Sequence, residues 1–156
     1  MNKHVLSVFT EKYTKIQNCL LNKVVLCAND IIDQALAQWD TGATNTCISE
    51  EIAKRYDLKP ISYTQSKTPS GELISPVYLI DIILNNEVIF ADWKVVGSKI
   101  GEQGIDVLIG MDVISKGDFA ISNYNGKTQF SFRIPSQNDV DYKAEFDLND
   151  NKDVAN

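Results

Sequence analysis

The chain has 156 residues, enough for one domain that buries a core without covalent staples, and its formal net charge is −6. With a sequence pI near 4.7 it would repel a phosphate backbone, so no nucleic-acid partner is expected. No apolar stretch reaches the length that spans a bilayer, and Val5-Leu6-Ser7-Val8-Phe9 is cut off by Glu11 and Lys12 before it could serve as a signal-peptide core. A cytoplasmic protein without membrane association is expected.

Cys19, Cys27 and Cys47 lack the paired spacing of a metal site and read as reduced thiols, so no disulfide framework is expected. His4 is the single histidine, which leaves a metal centre or a Ser-His triad without support; no metal or cofactor is expected.

In chain order, residues 1–12 have no firm pattern and read as a loose arm or an edge strand, and residues 13–28 read as strand material. Asn29-Asp30 is a turn signal, and Ile31–Trp39 alternates at the two-residue period of a strand. Thr46-Cys47-Ile48 suggests a short strand. Ser49 is placed to cap a helix through Tyr56, with Glu50 and Glu51 in its first turn and Lys54 and Arg55 near its end, where the helix dipole favours each.

Residues 61–84 read as a long hairpin whose tip, Thr68-Pro69-Ser70-Gly71-Glu72, has turn chemistry between β-branched and aromatic flanks. A strand over 88–96 and a loop over 97–104 follow. The apolar run Val107-Leu108-Ile109 then ends in Gly110-Met111-Asp112, with a short helix expected over 111–116. A strand over 118–122 is paired through Asn125-Gly126, the strongest hairpin signal in the chain, with one over 128–134. From Pro135 onward the chain is polar and acidic, and 135–156 is expected to be a disordered tail.

The stretch around which the rest is organised is Ala37-Gln38-Trp39-Asp40-Thr41-Gly42-Ala43. It delivers a carboxylate at a strand end, and Gly42 lets the backbone turn tightly or lets another chain approach. Asp-Thr-Gly alone is weak evidence for chemistry, and it gains weight from the second apolar run ending at Gly110.

An apolar strand running into Asp40-Thr41-Gly42-Ala43, a helical segment, a glycine-bearing hairpin and then Leu108-Ile109-Gly110-Met111-Asp112 resembles the retropepsin-like aspartic proteases. These include retroviral proteases, bacterial relatives and the protease domain of eukaryotic DNA-damage-inducible ubiquitin-shuttle proteins. The resemblance covers residues 20–134, within a protease domain drawn at 13–134. It implies a mainly β half-barrel with a flap and one or two short helices, working as a homodimer.

The implied activity is hydrolysis of peptide bonds in a peptide or protein substrate, by a water activated between two Asp40 carboxylates, one from each subunit. One carboxylate cannot share a proton with itself, and this chain holds a single Asp-Thr-Gly. By resemblance Thr41 bonds across the two-fold and Gly42 admits substrate. Ala43, Thr44, Ser70, Gly71 and Leu108 would contact the peptide, while Gly110 and Asp112 belong to the structural motif, Asp112 as a hydrogen-bond acceptor.

Two departures stand out. Many viral relatives place an Asp–Arg ion pair where this chain has Thr44 and Met111. A hydroxyl directly after the glycine would stabilise ionised Asp40, and Ala43 offers none, so activity nearer neutral pH is expected.

Two other readings compete. Asp40 to Asn45 also resembles the phosphate loop of sugar kinases and actin-like ATPases, but those need two related domains and a second such loop. A catalytically weak or inactive dimerisation or peptide-binding module on the same fold is the stronger rival.

Overall fold

A computed structural model describes residues 6–68 and 71–153 of the chain. Its centre is a closed barrel. The strands are β1 (Ser7–Lys12), β2 (Leu20–Ala28), β3 (Ile31–Trp39), β4 (Cys47–Ser49), β5 (Ser62–Thr68), β6 (Gly71–Ile83), β7 (Ile89–Ser98), β8 (Val107–Ile109), β9 (Asp118–Ser122) and β10 (Gln129–Ile134). The large sheet runs β2-β3-β8-β4-β7-β6-β5, and β2 also pairs with β6. Six strands therefore close on themselves, and β5 is left outside as one arm of a hairpin. A second sheet has the order β1-β10-β9.

Local chemistry explains the parts nearest the Asp40-Thr41-Gly42 loop. Asn29 and Asp30 both adopt the left-handed conformation, with φ of 48° and 64°, and Ala28 faces Ile31 across a two-residue turn. That turn matches the twist of paired strands and sets the register that carries β3 to Trp39. Helix α1 (Glu50–Arg55) starts where Ser49, itself extended, accepts a hydrogen bond at 3.2 Å from the Ile52 N–H. It ends on Tyr56, which is fully buried and whose hydroxyl is pushed to a higher pKa by that burial.

Trp39, 4% exposed, ties the two sheets together. Its ring stacks on Phe119 at 5.5 Å with 6° between the planes, and Phe132, Phe130 and Phe9 lie 5.2, 5.6 and 5.7 Å away. Its indole N–H donates at 2.9 Å to buried Asn22. Residues 7–12 form an edge strand here because Phe9, opposite Phe132, joins this cluster.

Several elements differ from the sequence expectation. Residues 13–19 are not strand. Tyr13 and Gln17 donate their N–H groups to Thr128, and Lys15 accepts from it, so the turn between β9 and β10 satisfies this segment in place of a ladder. The short helix after Gly110, α2 (Met111–Ile114), ends earlier than residue 116, and a 3-10 turn, Lys99–Gln103, occupies part of the expected 97–104 loop. The hairpin at Asn125-Gly126 is present, with both residues left-handed, but within a wider connection over 123–128.

Residues 142–153, in the segment expected to lack structure, form a helix α3 (Tyr142–Asp153), in which Lys143 and Asp147 pair one turn apart. Among the described residues no helix is long and apolar enough to cross a membrane.

Candidate active site

β3 and β8 run parallel with Gln38 beside Leu108 and Trp39 beside Ile109, so the two motifs leave the sheet side by side. The Asp40 N–H donates to Ile109 O at 3.0 Å, closing the last rung. Beyond it the loops cross. Met111 N–H donates to Ala43 O at 2.8 Å and Asp112 N–H to Thr44 O at 3.2 Å. Gly110 is required where they meet, since a Cβ there would lie 2.6 Å from the Asn45 carbonyl carbon.

Asp40 is half-buried, and its Oδ1 accepts from the Gly42 N–H at 2.8 Å. No other hydrogen bond from a described residue reaches that carboxylate. Gly42 lies outside the left-handed region. What it supplies is room, because a Cβ would stand 3.1 Å from Asp40 Oδ1. Thr41 and Thr44 are exposed and Ala43 is half-buried. Asp40 and Thr41 border a depression of about 270 Å³ shared with Phe119, Ile121 and Asn123.

Asp112 is placed differently. Its Oδ1 accepts from the Thr46 N–H at 2.9 Å, the Thr46 hydroxyl at 2.8 Å and the Val113 N–H at 3.0 Å, and its Oδ2 from the Trp93 indole at 3.1 Å. Thr46, fully buried, in turn accepts from the Gly110 N–H at 3.1 Å. One carboxylate thus locks the crossed loops to β7. Thr46 and Trp93 were not singled out as site residues in the sequence, because only the fold brings them to Asp112.

A row of Cα partners crosses the sheet beside Asp40: Leu21, Gln38, Leu108, Cys47, Val96. Their alternating neighbours Ala37, Val107 and Ile48 are buried in the barrel, so this row forms the opposite, half-buried face, which Asp40 shares as the residue two beyond Gln38. Burial, and after it the charges of Asp112 and Asp40, push the Cys47 thiol to a higher pKa. The row continues from Val96 to Val77 and Ser62, at the root of the β5–β6 hairpin.

That hairpin is paired from Ser62–Val77 to Thr68–Gly71. Tyr63, Leu73 and Ile74 on it are exposed, and Gly71 has a φ of 122°. Ser70, at the tip, lies outside the described residues. The cysteines are unpaired, and among the described residues no three His, Cys, Asp or Glu side chains are grouped to hold a metal ion.

A family model described as aspartyl protease matches residues 29–113, which spans both loops and the hairpin between them. The chain belongs to the aspartyl protease family. Its fold is retropepsin-like: a retropepsin-like aspartic protease from Rickettsia conorii superposes with a TM-score of 0.51 at 13% identity, over 86% of this chain and 99% of that one. The simian foamy virus protease gives a TM-score of 0.44 at 23% identity, over 60% and 92% of the two chains. The retroviral protease-like domain of Ddi1 from Leishmania major gives 0.40 at 17% identity, over 70% and 93%. A comparison with curated proteins finds no match.

Proposed function

We propose that this aspartyl protease is an endopeptidase in which two copies of the chain each contribute Asp40. The observation that carries the reading is the open side of that carboxylate: one oxygen is fixed by the Gly42 N–H, and no described residue engages the other. Two such groups facing each other would hold one proton and one water between them, because like charges at that distance cannot both ionise. One would act as base on the water and the other as acid toward the substrate carbonyl.

The second copy would add at β9, whose outer edge is unpaired among the described residues. Ile121, 45% exposed, stands on that strand beside the depression at Asp40 and Thr41. Thr41 is then positioned to bond across the two-fold, and Ala43, Thr44, Leu108 and the hairpin residues Ser70 and Gly71 to meet the peptide. Catalysis in the cytoplasm is part of the same proposal.

The test is cleavage of a diverse peptide pool by the wild-type chain and by Asp40→Asn, from pH 4 to 8, at several protein concentrations. Activity that disappears in the variant and rises faster than linearly with concentration, where the dimer dissociates, supports the pair and its assembly. Equal activity in both proteins overturns it, and silence from a folded dimer points to a peptide-binding module.

A further inference from the structure

From Leu21 to Val96 the row beside Asp40 is apolar except at one place. Leu21, Leu108, Cys47 and Val96 present hydrocarbon or a thiol, and Gln38, between Leu21 and Leu108, presents a primary amide. A primary amide both donates and accepts. In the described structure it does neither, since no hydrogen bond of any described residue involves the Gln38 side chain. Half-buried between two leucines, the amide still reaches solvent, so both its donor and its acceptor are open to a group that enters the depression.

Its position is also informative. Trp39 is buried on the barrel side, so Gln38 and Asp40, two residues apart, belong to the other face, and both border the depression at the active loop.

We infer that Gln38 is a specificity-determining residue, and that the protease prefers peptides with a neutral hydrogen-bonding side chain, Asn, Gln, Ser or Thr, next to the cleaved bond. This rests on the proteolytic reading above. An acidic side chain in that place would stand against Asp40 and meet like-charge repulsion, and a cationic one would favour ionisation of both carboxylates and so disfavour the proton that the pair must share. A neutral partner completes the amide without either effect. A site built to hydrogen-bond its substrate rejects an isostere that cannot do so, because its own polar group is then left unpaired.

The experiment maps cleavage sites in a peptide pool for wild type, Gln38→Leu and Gln38→Asn, then compares matched peptides carrying Gln or Met beside the cleaved bond. Wild type is expected to favour the Gln peptide at least about tenfold in kcat/KM, Gln38→Leu to reverse the order, and Gln38→Asn to keep it. The same ranking in wild type and Gln38→Leu, with both proteins folded, overturns the inference.

Binding of the same two peptides to Asp40→Asn, with and without Gln38→Leu, separates the two levels. If nothing is cleaved but binding still discriminates through Gln38, the proteolytic reading fails and the role of Gln38 stands. With neither cleavage nor discrimination, both fall.

Discussion

The loops that follow β3 and β8 each carry a carboxylate beyond an apolar strand, and the two are treated in opposite ways. Asp112 receives hydrogen bonds from Thr46, Val113 and Trp93 on both of its oxygens. Asp40 receives one, from Gly42, on one oxygen. A carboxylate engaged by fixed donors on both oxygens is tied to the chain around it, so Asp112 acts as a brace. A carboxylate held by a single backbone N–H keeps its direction and leaves its outer oxygen for water, substrate or another carboxylate. The brace is also what gives the open group its place, because it joins the crossed loops to β7 through Thr46 and Trp93.

Breaking the two loops separately should show this. The largest expected effect is on chemistry: Asp40→Asn lowers turnover by more than about 100-fold while its melting temperature stays within a few degrees of wild type, as read by peptide cleavage and calorimetry. Gly110→Ala should do the reverse in kind. Its methyl would enter the Asn45 backbone, so a loss of about 3 kcal/mol or more in urea unfolding is expected, with activity falling as a result.

Thr46→Val removes the hydroxyl that donates to Asp112 and accepts from Gly110, and should cost about 1–3 kcal/mol, with Thr46→Ser restoring most of it. Unfolding of the two variants side by side is the measurement.

The smallest effect concerns a third carboxylate, Asp118 at the start of β9, which resembles Asp112 in having several fixed donors. Bonds from Ser136, the Gln137 N–H and Arg133 hold it well below the usual carboxylate range. A lowered folded value means that its contribution to stability is present above about pH 4 and fades as the pH falls toward the folded value. The gap in urea midpoint between wild type and Asp118→Asn should therefore be constant from pH 6 to 8 and shrink below pH 4. A gap that grows on acidification would contradict the assignment.

Much of this was legible in residues that interact locally. The turn at Asn29-Asp30 and the alternation after it place β3 at its observed bounds, and Ser49 caps α1 as its neighbours require. The brace was harder to read because Thr46 and Asp112 are 66 residues apart and meet only once β4, β7 and β8 are side by side. Residues 13–19 misled because their backbone partner is Thr128, at the other end of the chain. The loop that carries Asp40 was visible as a motif, whereas the contrast between Asp40 and Asp112 needed the hydrogen bonds.

The chain has two tryptophans, and the fold assigns one to each loop. Trp39 immediately precedes Asp40 and is packed among phenylalanines, while Trp93 donates to Asp112 and has Lys116 5.8 Å from its ring centre. Intrinsic fluorescence should therefore contain two signals, a blue-shifted one from the buried indole beneath Asp40 and a more polar one from the indole that donates to Asp112. Replacing either indole by phenylalanine would leave a single-colour reporter of the other loop, able to follow peptide binding or subunit association without an added dye.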